Sequence, residues 1–229
     1  MVARALLSLF MVALVSMTLH AAEPAPTFSF AALEEDVLEE MNLLRRDPRA
    51  YADKLAALRR FYRGKRIIRG PNEPAILTVE GVAALDEAID ALRRAPPRLP
   101  RLARSSGLAA AARVHAEDLG RTGALAHDGS DGSSPGQRVS RMGTWDGIVA
   151  ENIAFGPSEA EDIVIGLLVD DGVPDRGHCE VLLTRELFFA GVACGPHPTY
   201  HITCVIDYAT SFKPKRRTVG PLRERGRPD

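Results

Sequence analysis

Leu33, Val37, Met41 and Leu44 recur at the spacing of one helix face, and Tyr51, Leu55 and Leu58 carry the same period onward. Between them, Asp47-Pro48 breaks or kinks the helix, because proline disfavours the helical conformation in the residue before it. Residues 64–74, rich in Gly, Pro and basic side chains, read as a loop. Val82, Leu85, Ile89 and Leu92 predict a helix over about 79–94, and the proline-rich stretch 95–100 must be extended. A third helix is expected over 106–121, with Leu108, Ala111, Ala112, His115 and Leu119 on its inner stripe and Thr122-Gly123 as its stop. After a Gly/Ser/Asp loop over 127–136 come a short helix carrying Val139 and Met142, then a strand over 148–155. Ser158 and Glu161 form an S-x-x-E pattern that predicts a capping box opening a helix through Ile163, Ile165, Leu167 and Val169. Residues 188–194 and 202–208 read as two antiparallel strands. Helices first and strands last, without βαβ alternation, imply an α+β fold with a small antiparallel sheet covered by helices.

Composition changes this picture mainly at the ends. Arg4 precedes an apolar run from Ala5 to Val15, and Ala21-Ala22 stand before Glu23-Pro24. A positive start, a short apolar core and small residues predict a secretory signal over residues 1–22, cleaved or retained as an anchor. The run is short for a membrane-spanning helix. The expected location is therefore secreted, periplasmic or extracellular. From Lys213 the chain is basic and rich in Pro and Gly, so 211–229 is expected to be a disordered basic tail able to contact anionic surfaces. A formal net charge of -1 over the 229 residues supplies no global field for nucleic acid. Cys194 and Cys204 flank a turn between strand-like runs and are expected to form a disulfide, leaving Cys179 free.

Two local patterns carry little chemistry. Gly132-Ser133-Ser134-Pro135-Gly136 matches the hydrolase G-x-S-x-G, but Pro135 lacks the N–H that an oxyanion hole needs after the nucleophile. The run 128–132 lacks the closing acid of a calcium loop. What remains is His127, Glu151 and His178, each beside the end of an element. Two imidazoles and a carboxylate are groups that hold a divalent metal such as zinc or exchange protons. His115, on the inner stripe, is expected to be a core histidine with no metal.

The ordered series AARVHAEDL, LAHDGSDGSSPGQRVSRMG, AENIAFG, DDGVPDRGH and GVACGPHPTYHITCVIDYA resembles the CAP superfamily, in its short bacterial, SCP-like branch. The likeness covers residues 100–210, and MNLLRRDPRAYADKL, within 23–99, is similar to the N-terminal extension of one bacterial subgroup. The resemblance implies an α-β-α sandwich with a cleft lined by histidines and acids. His127 matches the first cleft histidine, Glu151 the acid of G-E-N-[IL] (with Ala150 for Gly), and His178 the histidine of G-H-R. Cys179 and Val181 replace the Arg and Asn usual after that histidine, so the cleft rim is expected to differ. The second cleft acid of eukaryotic members has no clear match, and Asp170, Asp171 and Asp175 are the candidates to stand in for it. Members of the family share a fold and not an activity, so the expected function is an extracellular binding module for a divalent cation, a lipid, a protein or another envelope ligand, with metal-assisted hydrolysis as the rival.

Overall fold

The computed structural model describes residues 28–215; the expected signal, residues 1–22, and residues 216–229 of the basic tail lie outside them. The first helix, α1 (Phe30–Arg46), starts at Ser29, whose side chain accepts the N–H of Ala32, and ends at Asp47. Asp47 also caps α2 (Pro48–Ala57), so one residue closes one helix and opens the next. A 3₁₀ turn (Leu58–Phe61) leads into three very short strands, β1 (Tyr62–Arg63), β2 (Arg66–Ile67) and β3 (Ile76–Leu77), which form an antiparallel sheet. Within residues 64–74, expected to be a loop, the structure has the single short strand β2, and β1 and β3 flank that stretch. Two-residue strands have too few positions to show a period of two.

Helix α3 (Val82–Arg94) begins three residues later than its periodicity suggests, because Gly81 takes a positive φ of 73° through which no helix runs, while the Asp171 carboxylate takes the N–H groups of Val79 and Glu80. Then follow β4 (Ala103–Arg104), α4 (Ser106–Thr122), α5 (Pro135–Met142), β5 (Gly143–Phe155), α6 (Ala160–Val169), α7 (Gly177–Leu183), β6 (Phe189–His197) and β7 (His201–Pro214). The expected capping box at Ser158 and Glu161 does not form. The N-cap of α6 is Glu159 with no side-chain bond, and Glu161 pairs with Lys54 at 3.0 Å. A capping box does open α5, between Ser134 and Gln137.

The main sheet has the order β4-β6-β7-β5, with β4 parallel to β6 and the other pairs antiparallel. Strand β7 continues to Pro214 opposite Gly143, so residues 211–214 belong to the sheet. Side chains alternate across it. Cys204, Ile206 and Tyr208 join Ala190 and Val192 in a core shared with α1, α2, α3, α6 and α7. Ala193, Val205 and Ala209 face α4 and α5. The result is the α+β, α-β-α sandwich, with β5 as an edge strand. Gly191 lets α4 lie directly on the sheet: a Cβ there would sit 2.0 Å from the Ala109 nitrogen. The β6–β7 hairpin places Cys194 opposite Cys204, and the two form the expected disulfide. Helix α1 is bound into this core by Asn42, which pairs with both backbone groups of Leu102, and by Arg45.

Candidate functional site

Alternation along β5 sends Glu151 towards α4 and α5, and Asn152 towards α7. On the first side, α4 ends at Gly123 in the left-handed conformation (φ 72°), and the chain then turns back to bring His127 over β5. His127 donates its Nδ1–H to Glu151 Oε1 at 2.8 Å. The other carboxylate oxygen, Oε2, accepts from Arg138 Nη2 at 2.7 Å. Arg138, in the first turn of α5, also donates to the backbone oxygens of Ser133 and His127, tying the loop to the floor of the site. Arg138 and Glu151 are fully buried, whereas the His127 side chain is 51% exposed. A charged floor thus carries a wet imidazole at its rim.

His178 comes from the opposite side. Asp170 ends α6 in the left-handed conformation, and its carboxylate accepts both the backbone N–H of His178 and the ring Nδ1–H, the latter at 2.6 Å. Asn152 donates to the His178 carbonyl. Of the three candidate acids, Asp170 is the one at the cleft. Asp171 binds the N–H groups ahead of α3, and Asp175 accepts from Gly177. The rings of His127 and His178 lie 6.3 Å apart between centroids, tilted by 32°. The structure therefore brings His127 and Glu151 into contact and sets His178 beside them, each imidazole backed by its own carboxylate.

His115 is buried, as its place on the inner stripe predicts. Its Nε2 bonds the Ala126 carbonyl at 2.8 Å and lies 4.0 Å from Glu151 Oε1. Burial, opposed by the Glu151 charge, lowers its pKa and keeps the ring neutral. Cys179 is buried in the main core, and burial aided by the nearby Asp170 pushes its thiol up to about 11.

Two site residues were not singled out from sequence. Arg138 hides in the apolar spacing of a short helix. Asp207 stands directly opposite Glu151 in the β5–β7 register, fully buried, with no donor bonded to either oxygen. Burial first, and the Glu151 charge second, raise its pKa well above the usual carboxylate range. The protonated Asp207 carboxyl is the form that can donate to Glu151. An acid in the middle of a strand with apolar neighbours on both faces was the available signal. Among the described residues, no three His, Cys, Asp or Glu side chains form a ready-made ligand cluster. The Ser134 hydroxyl of the G-x-S-x-G pattern is spent on the N-cap of α5.

The chain belongs to the CAP family, the Cysteine-rich secretory protein family, which matches it over residues 87–208, more than half its length. No curated protein matches it. Solved structures similar to it include an extracellular protein containing an SCP domain from Bacillus anthracis, at 22% identity and a TM-score of 0.41, covering 54% of this chain and 39% of that one. Another is an outer surface protein from Borrelia burgdorferi, at 22% identity and a TM-score of 0.40, covering 51% of this chain and 80% of that one. The chain thus spans well under half the length of the first of these.

Proposed function

We propose that this CAP-family protein is an exported binding module whose cleft takes a divalent cation such as zinc between His127 and His178. A lipid or another envelope component is the alternative occupant of the same cleft. The observation that carries the reading is the pair of imidazoles, each with Nδ1 held by a carboxylate, which leaves Nε2 as the ring donor. A carboxylate behind a metal-binding histidine fixes its tautomer and raises its basicity. Two rings bound through nitrogen at about 2.0–2.1 Å in tetrahedral geometry have centroids about 5 Å apart, against the 6.3 Å between these two. Glu151, with both oxygens engaged, acts in this reading by orienting His127. The same engagement weakens the rival hydrolytic reading, in which Glu151 acts as a metal ligand or as a general base and needs a free oxygen for either role. Export is supported by the N-terminal apolar run and by the disulfide, which suits an oxidising compartment.

Calorimetric titration with Zn²⁺ tests the cleft. The wild type should bind with proton release and more weakly as the solution is acidified, because only the unprotonated imidazole is a ligand. His127→Ala and His178→Ala should each abolish that binding, and Glu151→Gln should weaken it by about 10–100-fold. Zinc binding that survives unchanged in both histidine variants would overturn the reading.

A further inference from the structure

The segment joining α2 to α3 carries a surface that neither the core nor the cleft uses. From Arg59 to Arg69 it holds six cations, Arg59, Arg60, Arg63, Lys65, Arg66 and Arg69, and the first acid after them is Glu73. Arg59 is paired with Asp86, and Arg69 with both oxygens of Asp162. Other nearby acids are already engaged: Glu80 holds Arg176, and Asp171 caps the backbone ahead of α3. Among the described residues, Arg60, Arg63, Lys65 and Arg66 form no ion pair. Arg60 lies over the Phe61 ring at 4.7 Å, and Arg63 donates only to the Arg60 and Tyr62 carbonyls. All four are exposed.

Strand register sorts this segment into two faces. Tyr62, Ile67 and Ile76 form one rung; Arg63, Arg66 and Leu77 form the next. Neighbouring rungs point to opposite faces. The first lines an apolar hollow of about 460 Å³ against Ile165 and Val169 of α6, and the exposed Leu77 of the second borders the same hollow. The second sets two guanidinium side chains on directly paired residues, beside a Leu77 that is 76% exposed. Like charges placed opposite one another weaken a sheet. Exposed Ile68 and Val79 extend the apolar part of the surface. A soluble polyanion would satisfy the cations but leave these aliphatic side chains in water. A surface that is anionic at its headgroups and apolar just below satisfies both.

We infer that the β1–β3 segment is a docking surface for an anionic phospholipid bilayer, separate from the cleft. Full-length protein is sedimented with vesicles of phosphatidylcholine alone, or of phosphatidylcholine with phosphatidylglycerol, at low and high salt. A dextran sulfate column runs in parallel. The protein should follow the acidic vesicles only, and less so as salt rises. Arg63→Gln with Arg66→Gln should lower vesicle partitioning on the order of thirtyfold. Lys65→Gln, in the turn outside the strands, should act in the same direction without touching the sheet. Leu77→Ser should weaken vesicle binding while leaving dextran sulfate retention unchanged. Wild-type sedimentation of the arginine and Lys65 variants would place membrane binding elsewhere and overturn the proposal. Normal vesicle binding by Leu77→Ser, with the arginine variants released from both vesicles and column, would make this a polyanion surface and overturn the bilayer.

Discussion

Asp207 is a carboxyl group in a place that suits only its neutral form. Its folded-state pKa is raised, so between the ordinary carboxylate range and that raised value the folded chain holds a proton the unfolded chain has lost. Its contribution to stability is therefore fullest at low pH and is lost as pH rises through this window, by up to about 1.4 kcal/mol per pH unit. Asp207→Asn keeps a donor towards Glu151 without the titration. Thermal melts should show the variant gaining on the wild type as pH rises from acid to neutral, and a constant difference would contradict the assignment. Sequence made the exposed half of this site legible, because histidines beside element ends stand out and the order of motifs aligned them. The buried half was not, since the roles of Arg138 and Asp207 depend on strand register and on an arginine reaching across a loop.

Arg45 shows how one element is fixed by chemistry that periodicity does not reveal. It is buried on the inner face of α1 and donates to the carbonyls of Pro100, Leu182, Thr184 and Leu187. Arg45→Ala leaves these acceptors without a partner in a dry core, so it should lower unfolding free energy by about 3 kcal/mol or more in urea titrations. A loss below about 1 kcal/mol would mean that water replaces the guanidinium. At the β6–β7 hairpin, peptide mapping without reduction should recover Cys194 joined to Cys204. Cys179 should react with a thiol reagent only after unfolding, given its burial and raised pKa. Long periodic helices and the terminal hairpin were readable from sequence. Helix starts were less so: Ser158 and Glu161 had the spacing of a capping box, but Glu161 found Lys54 and the cap fell one residue later. The short strands β1 to β4 left no period to read.

At the scale of the whole molecule, the sandwich explains why the site lies where it does. The loop after α4 approaches edge strand β5 from one side of the sheet and the start of α7 from the other. His127 and His178, well separated in sequence, therefore meet at the edge that no further strand of the described residues covers. The α+β architecture followed from the order of elements. The convergence of the two histidines needed three-dimensional closure, and the family resemblance supplied that expectation. Anomalous diffraction at the zinc edge from a zinc-soaked crystal tests the central claim most directly. The account predicts one strong peak bridging Nε2 of His127 and Nε2 of His178, with Glu151 and Asp170 still bonded to the two Nδ1 atoms. A cleft without a peak, or zinc held by Glu151 with either imidazole turned away, would contradict it.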